Sequence, residues 1–237
     1  MIRETLRKLG VIKRNSSDTK IITDEMVTDF IKDPDFPYLV SFPRTGSHWL
    51  RMIMELYFEK PSMKLIFFEP YLEATDFTCV HSHDMELEVK RASVFYLYRQ
   101  PAPTIFSQLR YYQEDINDTE RIVHWATIYG QHLKKWIFEE TFTTHKTILS
   151  YEEMRKDLPM AFGKVCEHFK VNLDKERLEA VAEQVSKKKL KEKTVHDKQV
   201  VNLSNKYDEE RQQFMAKYTD LILQTVVAQH PSIAKLF

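Results

Sequence analysis

A short loop carries the residues best suited to bind an oxyanion. It lies between an apolar run, YLVSF at 38–42, and the helical pattern of residues 47–58, and it contains Arg44, Gly46 and Ser47. In a strand-to-helix turn the first N–H groups of the helix converge, and the helix dipole adds positive potential. Gly46 permits a tight turn, Ser47 can cap the helix, and the forked donors of Arg44 suit phosphate or sulfate. The loop predicts an anion site; the alternative is an ordinary capped turn beside a surface arginine.

The charge at the end of a second strand-like run indicates which kind of anion binds. A phosphate-loop nucleotidase has the pattern G-x-x-x-x-G-K-[ST], of which this loop keeps only the final part. Such an enzyme also needs a carboxylate at the end of a neighbouring strand to hold magnesium. The run SVFYLYR at 93–99 ends instead in Arg99. A cation in the place of an acid favours a multiply anionic ligand bound without a metal, and it argues against ATP hydrolysis.

Three motifs, in order along the chain, resemble the signatures of the cytosolic sulfotransferase family, and a fourth segment between the second and the third resembles a family helix. SFPRTGSHWL resembles the family loop Y-P-K-S-G-T-x-W, which holds the 5′-phosphosulfate of 3′-phosphoadenosine 5′-phosphosulfate (PAPS). YLYRQPAPTIFSQLRYY resembles the second signature, an arginine at a strand end followed eight residues later by a serine. ILSYEEMRKDLP resembles the strand-end segment L-x-Y-E-D-M, and YGQHLKKW resembles a family helix with His and Trp four residues apart. The resemblance runs from Tyr38 to Phe169 and continues more weakly through 214–222.

The resemblance implies a PAPS-dependent sulfotransferase that moves a sulfuryl group to an acceptor hydroxyl or amine, with no metal. The residues implied to surround the 5′-phosphate and the sulfuryl group are Arg44, Thr45, Gly46, Ser47 and His48. Trp49 is implied to pack against the adenine, and Tyr151 to lie beside it. Arg99 and Ser107 are implied to hold the 3′-phosphate.

A pair of histidines offers the base that the implied reaction needs, because a proton must leave the acceptor as the sulfur is attacked. Histidine is matched to this task at neutral pH. The family base ends a K-T-H stretch after a strand, and the resemblance aligns His83 of HSH (81–83) with it and His81 with the lysine. His83 is the expected base, His81 is the alternative, and purely structural roles stay open. Asp84 is interpreted as a turn residue rather than as the group that orients an imidazole.

Two departures from the family pattern bear on activity. Arg44 replaces the loop lysine, and because a guanidinium keeps its proton it can stabilise charge but is a poor acid. The closing segment R-K-G-x-x-G-x-W is absent; SKKKLKEK at 186–193 stands there, and its lysines either substitute for it or form a solvated face. Two alternatives follow: a weakly active or inactive nucleotide-binding protein of the same fold, and a nucleotide-dependent kinase with a degenerate phosphate loop.

The elements that position these motifs alternate between strands and helices along the chain. This order predicts an α/β fold of three layers, α/β/α, around a central parallel sheet. The anion loop is a phosphate-loop-like strand-loop-helix at the carboxyl ends of the strands, where ligands of such sheets bind. Strands are expected at 38–42, 77–83, 93–99 and from 146 onward. Helices are expected at 23–33, 47–58, 101–112, 119–140, 153–169, 174–185 and 207–229.

Composition bounds the remaining choices. The 237 residues suit a single domain spanning 1–237, with a loose leader at 1–20 and a polar stretch at 186–205 that is either a solvated loop or orders over a ligand. The 35 basic residues balance 35 acidic ones, so neither nucleic acid nor a membrane is expected as a partner. Two cysteines and the lack of a long apolar segment predict buried thiols and a cytoplasmic protein.

The acceptor is expected to contact the loops at 59–76, 110–120 and 186–205. Aromatic residues in these loops hint at an apolar or ring-bearing acceptor, although most aromatic side chains belong to cores. A small molecule or a carbohydrate is expected, and the sequence does not choose between alcohol, phenol, lipid and sugar. It does not indicate an oligomeric state.

Overall fold

The computed structural model of the chain describes residues 30, 32–63, 65–71, 73–186 and 205–237. Within them the strands are β1 (Tyr38–Ser41), β2 (Val80–Ser82), β3 (Ser93–Tyr98) and β4 (His145–Ser150). They form a parallel sheet in the spatial order β2-β1-β3-β4. The segments that follow β2, β1 and β3 therefore leave the sheet side by side at one edge, which is where the predicted site residues lie.

Helices connect the strands and cover both faces of the sheet. In the described part of the chain they are α1 (Ser47–Phe58), α2 (Pro101–Tyr112), α3 (Thr119–Leu133), α4 (Tyr151–Lys156), α5 (Leu158–His168), α6 (Lys175–Gln184) and α7 (Asn205–Val227). A π-helical segment, Lys134–Glu139, continues α3, and short 3-10 helices lie at Glu69–Tyr71 and Pro231–Leu236. None of the described helices is both long and apolar enough to cross a bilayer.

Each strand presents alternate residues to two apolar cores, one on each face of the sheet. On one face Tyr38 and Val40 of β1 pack with Tyr96 of β3 against α2, α3 and α7. On the other face Leu39 of β1 and Phe95 of β3 pack against α1, α5 and α6. Because both faces are covered, β1 and β3 in the middle of the sheet are apolar over most of their length, as buried parallel strands are. The predicted three-layer α/β/α fold with a central parallel sheet is confirmed.

Several element boundaries differ from the predicted ones. The helix predicted at 119–140 keeps α geometry only to Leu133. The helix predicted at 153–169 starts at Tyr151 and is broken at Asp157, which caps α5, because Pro159 has no N–H to continue the ladder. The strand predicted at 77–83 forms only over Val80–Ser82. The buried free thiols Cys79 and Cys166 match the prediction.

Three predicted segments fall mostly outside the described residues. They are the leader at 1–20, most of the helix at 23–33, and the polar stretch at 186–205 apart from its two ends.

Candidate active site

The anion loop turns sharply between β1 and α1. Arg44 has φ 68° and Gly46 has φ 99°, so both adopt the left-handed conformation, which is uncommon for a residue with a side chain. Gly46 is the N-cap of α1 and offers no side-chain cap, and Ser47 is the first helical residue. The prediction that Ser47 caps the helix is therefore wrong by one position. Ser47 is buried and stands at the first position of α1.

Two of the helices that begin at the carboxyl ends of the strands, α1 and α2, differ from α3 to α6 in their N-termini. The other described N-termini, those of α3 to α6, are capped by Asp or Ser side chains: Asp118, Ser150, Asp157 and Asp174. α1 and α2 have neither a side-chain cap nor an acidic residue in the first turn. At α2 the Glu152 carboxylate accepts from the N–H of the N-cap residue Gln100, whereas no acidic side chain caps α1. The N-terminus of α1 therefore favours an anionic ligand.

Gly46 lies against the ring of Tyr151, the first residue of α4. A Cβ atom at Gly46 would stand 2.5 Å from Cδ2 of Tyr151, which no real contact allows. Trp49 packs on the same tyrosine, with ring centroids 5.8 Å apart, and the guanidinium carbon of Arg99 lies 4.4 Å from its centroid. The structure thus brings together Trp49, Tyr151 and Arg99, which three separate motifs supply.

Arg44 and Arg99 are linked through Ser107 and the loop backbone. Arg44 Nε donates to Ser107 Oγ at 3.0 Å, and Arg99 Nη1 donates to the Arg44 carbonyl at 3.2 Å. Burial lowers the pKa of both arginines from the ordinary value. The two groups of donors predicted to hold opposite ends of one nucleotide are therefore neighbours.

Two loop residues engage the protein rather than the open edge of the sheet. Thr45 is fully buried, and its hydroxyl donates to the Phe42 carbonyl at 2.8 Å, which closes the turn. The His48 ring packs edge-on against Phe67, with centroids 5.4 Å apart. The Thr45 hydroxyl thus donates its proton within the turn, and the His48 ring faces the segment at 65–71.

His83 follows β2 and is held at the end of β1. Its Nδ1 lies 2.8 Å from the Ser41 carbonyl oxygen. Because a carbonyl can only accept, Nδ1 carries the proton, and in the neutral ring the lone pair is on Nε2. This is the tautomer that a general base uses.

His81 has the opposite arrangement. The buried Arg51 Nη1 lies 3.3 Å from His81 Nδ1, and because arginine only donates, Nδ1 must accept. The ring proton is then on Nε2, which lies 3.1 Å from Ser41 Oγ. Both nitrogens are thus engaged inside the protein.

His132, the histidine of the motif YGQHLKKW, holds the His83 segment, and Tyr96, to which no motif assigns a role, holds His132. His132 Nε2 donates to the His83 carbonyl at 2.9 Å, and the Tyr96 hydroxyl donates to Nδ1 of His132 at 2.7 Å. Burial lowers the pKa of His132 to about 4, so this histidine stays neutral. Asp84 has φ 42° and accepts from Lys135, as well as from the Trp136 indole. Asp84 is a turn residue, as predicted, and it ties this turn to the π-helical segment.

A basic cleft of about 380 Å³ opens beside Arg99. Arg155 and Lys156 of α4 and Arg211 of α7 line it, with Tyr151 and Glu152 on the same wall. Arg155 and Lys156 lie in the segment ILSYEEMRKDLP, whose resemblance implies a role only for Tyr151, and Arg211 lies on α7, so the three cations converge only through the tertiary fold. Within the described residues, no group of three or more metal-ligating side chains is found.

Comparison with known proteins identifies the family. A family model of the sulfotransferase domain matches residues 78–220, more than half of the chain. The chain belongs to the sulfotransferase family. A curated relative, an amine sulfotransferase of Oryctolagus cuniculus, is 23% identical to this family member over 218 residues, which cover 76% of this chain and 70% of the relative.

Solved structures are similar to this family member in fold. Retinol dehydratase in complex with androsterone and the inactive cofactor PAP is 14% identical, with a TM-score of 0.55, over 84% of this chain and 85% of that one. Retinol dehydratase with retinol and PAP is 13% identical, with a TM-score of 0.53, over 91% and 95% of the two chains. At these identities the likeness shows a shared fold.

Proposed function

We propose that this protein transfers a sulfuryl group from PAPS to a hydroxyl or amine of a small acceptor, with His83 as general base. The observation that carries the proposal is the strand order β2-β1-β3. It aligns, at one sheet edge, His83 after β2, the loop of Arg44 after β1 and Arg99 after β3. A base, an anion loop and a second cation therefore follow one another in a line.

The donor set fits a nucleotide with phosphate at both ends of its ribose. The uncapped N-terminus of α1, with Arg44 and Ser47, is assigned to the 5′-phosphosulfate. Arg99 and Ser107 are assigned to the 3′-phosphate. Arg99 Nε is buried and has no hydrogen-bond partner in the described part of the chain, and a phosphate oxygen would satisfy it. Trp49 and Tyr151 offer aromatic surface for the adenine.

The reaction is an in-line displacement at sulfur. The acceptor oxygen or nitrogen forms a bond to sulfur while the bond from sulfur to the bridging phosphate oxygen breaks, and PAP (adenosine 3′,5′-bisphosphate) leaves. His83 Nε2 takes the proton that the acceptor loses. Arg44 and the N–H groups of α1 stabilise the charge that develops on the leaving phosphate, an effect worth about 3–4 kcal/mol per donor in other enzymes.

The hydrogen bonds of the two histidines favour His83 over His81 as the base. His83 uses Nδ1 to fix its ring and keeps its lone pair on Nε2, whereas the Nδ1 lone pair of His81 accepts from Arg51. His81 is therefore assigned a positioning role. It packs against His83 with ring centroids 4.6 Å apart.

The acceptor is assigned to the side of His83 and His48. Phe67 beside His48 offers an apolar contact there. We choose a panel of small alcohols, phenols and amines as acceptors. The similar structures contain androsterone and retinol, and the curated relative is an amine sulfotransferase.

The test compares the purified protein with His83→Ala and with the control His124→Ala, whose exposed histidine lies on α3 away from the sheet edge. With PAPS and the acceptor panel, we expect His83→Ala to lower turnover by about 100-fold or more. PAP affinity, measured by calorimetry, should stay unchanged in both variants. Near-normal turnover of His83→Ala would remove His83 from the role. PAP binding without any transfer by the unmutated protein would favour the inactive binding protein instead.

A further inference from the structure

The cleft beside Arg99 holds more positive charge than the protein itself neutralises. Its walls carry Arg99, Arg155, Lys156 and Arg211 against a single carboxylate, Glu152. Glu152 Oε1 already accepts from the Gln100 N–H at 3.2 Å. The side chains of Arg155, Lys156 and Arg211 form no ion pair or hydrogen bond with another residue that the structure describes. Such an excess of like charge is unfavourable unless an anion enters the cleft.

Arg211 stands out among these cations because it lines the same cleft as Arg99 and is close enough for its charge to act on Arg99. Burial lowers the pKa of Arg99, and the positive charge of Arg211 lowers it further. Arg211 is half-buried, whereas Arg155 and Lys156 are exposed at the rim and are screened by solvent. The partnerless Nε of Arg99 and the Arg211 guanidinium therefore mark one position for a doubly charged group.

The position of the cleft indicates which end of the nucleotide is bound. Arg99 and Tyr151 line the cleft, but no residue of the loop from Arg44 to Ser47 does. The charge of Arg211 therefore acts at the end of the ligand that lies away from the anion loop of α1.

We propose that Arg211 of α7 binds the 3′-phosphate together with Arg99 and sets the preference for a 3′-phosphorylated nucleotide. This inference rests on the proposed function. It assigns to α7 the positive charge that the family's closing segment, absent from this sequence, carries elsewhere. The forked guanidinium of Arg211 suits two phosphate oxygens at once.

The experiment measures calorimetric dissociation constants for PAP and for adenosine 5′-phosphate, which lacks the 3′-phosphate. It uses the unmutated protein, Arg211→Gln, Arg211→Lys and the control Lys217→Gln, which removes the same charge from an exposed position of α7. Arg211→Gln should weaken PAP binding by about 10- to 100-fold, the loss expected for one charged hydrogen-bonding group, and leave adenosine 5′-phosphate unchanged. The PAP affinity of Arg211→Lys should lie between those of the unmutated protein and of Arg211→Gln. Lys217→Gln should bind both ligands as the unmutated protein does.

The outcomes separate this inference from the function on which it rests. If Arg211→Gln weakened the binding of both nucleotides equally, or left PAP binding unchanged, the proposed role of Arg211 would be wrong. The proposed function would stand in that case as long as the unmutated protein bound PAP. Failure of the unmutated protein to prefer PAP would overturn both. Thermal melts of all variants, expected to coincide because the side chain is half-exposed, exclude misfolding as the cause of a loss.

Discussion

At the scale of single residues, the hydrogen bonds of two neighbouring histidines distinguish their chemistry. His81 and His83 have the same side chain, and their rings pack against each other. Nδ1 of His81 accepts a hydrogen bond from Arg51, whereas Nδ1 of His83 donates one to the Ser41 carbonyl. The sequence could offer the pair as candidates. It could not assign the tautomers, because Arg51 and Ser41 are distant from both histidines along the chain.

Gly46 offers a residue-scale prediction. Gly46→Ala would place a methyl group against Tyr151 and force a left-handed φ on alanine, so we expect a loss of at least 1–2 kcal/mol in the free energy of unfolding and a weakened affinity for PAP. Denaturant melts and calorimetry measure the two effects.

A second glycine supplies the control. At Gly163, in α5, an added Cβ would meet only Leu173, at 3.9 Å, and Gly163→Ala should be neutral or stabilising by up to about 1 kcal/mol. Equal behaviour of the two variants would contradict the close packing described for the loop.

Some residues of the candidate site could be predicted from the sequence around them, and others could not. Arg44, Gly46 and Arg99 could be predicted because a turn, a helix start and a strand end act within a few neighbouring residues. Arg51 and Arg211 could not, since each acquires its role from a partner that only the tertiary fold brings near.

At the scale of elements, α1 follows the anion loop and also binds, through two buried side chains, the segment at 62–68. Arg51, one turn before Glu55, donates to Ser62 Oγ at 2.6 Å and to the carbonyls of Met63 and Leu65. Glu55, which is fully buried, accepts from the N–H groups of Phe67 and Phe68 at distances of 2.8–3.0 Å. The helix therefore fixes both the anion loop and the segment proposed to border the acceptor.

This arrangement predicts the effect of Glu55→Gln. The amide has one acceptor oxygen and no charge, so it holds the two N–H groups more weakly than the carboxylate does. Amide hydrogen exchange at Phe67 and Phe68 should accelerate by about tenfold or more, and the KM of an accepted substrate should rise while PAP affinity stays constant. Unchanged exchange would contradict the anchoring role.

Glu59→Gln is the matched control for this experiment. Glu59 follows the last residue of α1, and its exposed carboxylate pairs only with Arg177 among the described residues. Pairs of this kind contribute little, so exchange at Phe67 should not change.

Element types followed from the sequence better than element boundaries did. The alternation of strands and helices predicted the layers, and buried strands were recognised as short apolar runs. The apolar spacing of 119–140 is compatible with both α and π geometry, so it could not indicate the change after Leu133.

At the scale of the whole molecule, two buried histidines couple stability to pH. Burial lowers the pKa of His132 and of His168 from 6.5 to about 4, and the neighbouring His145 adds to the effect at His168. Both must stay neutral in the folded protein, whereas the unfolded chain binds protons at them near pH 6.5. The contribution of these two neutral histidines to the free energy of unfolding is fully present above about pH 6.5, and it is lost as the pH falls toward 4.

Acidification from pH 7 to pH 5 should therefore lower the free energy of unfolding by about 1–2 kcal/mol for each of these histidines. Denaturant melts of the unmutated protein and of His168→Gln across this range measure the contribution of one group. His124→Gln, on the exposed side of α3, should keep the full pH dependence. An equal pH dependence of the unmutated protein and His168→Gln would contradict the assignment.

The hydrophobic periodicity of the sequence could not predict the order of the strands in the sheet. That order depends on which apolar faces of different elements pack together, and no single apolar segment determines it. Placing β1 in the interior of the sheet requires both β2 and β3 as neighbours.

That interior position has a consequence for how the chain matures. Every partner of β1 is synthesised after the whole of α1, so a nascent chain emerging from the ribosome carries an apolar strand with both hydrogen-bonding edges open. Such long-range parallel pairing is slow to form and leaves the early product exposed to aggregation. We expect chaperone dependence during expression to end only once β3 has emerged and closed the second edge of β1.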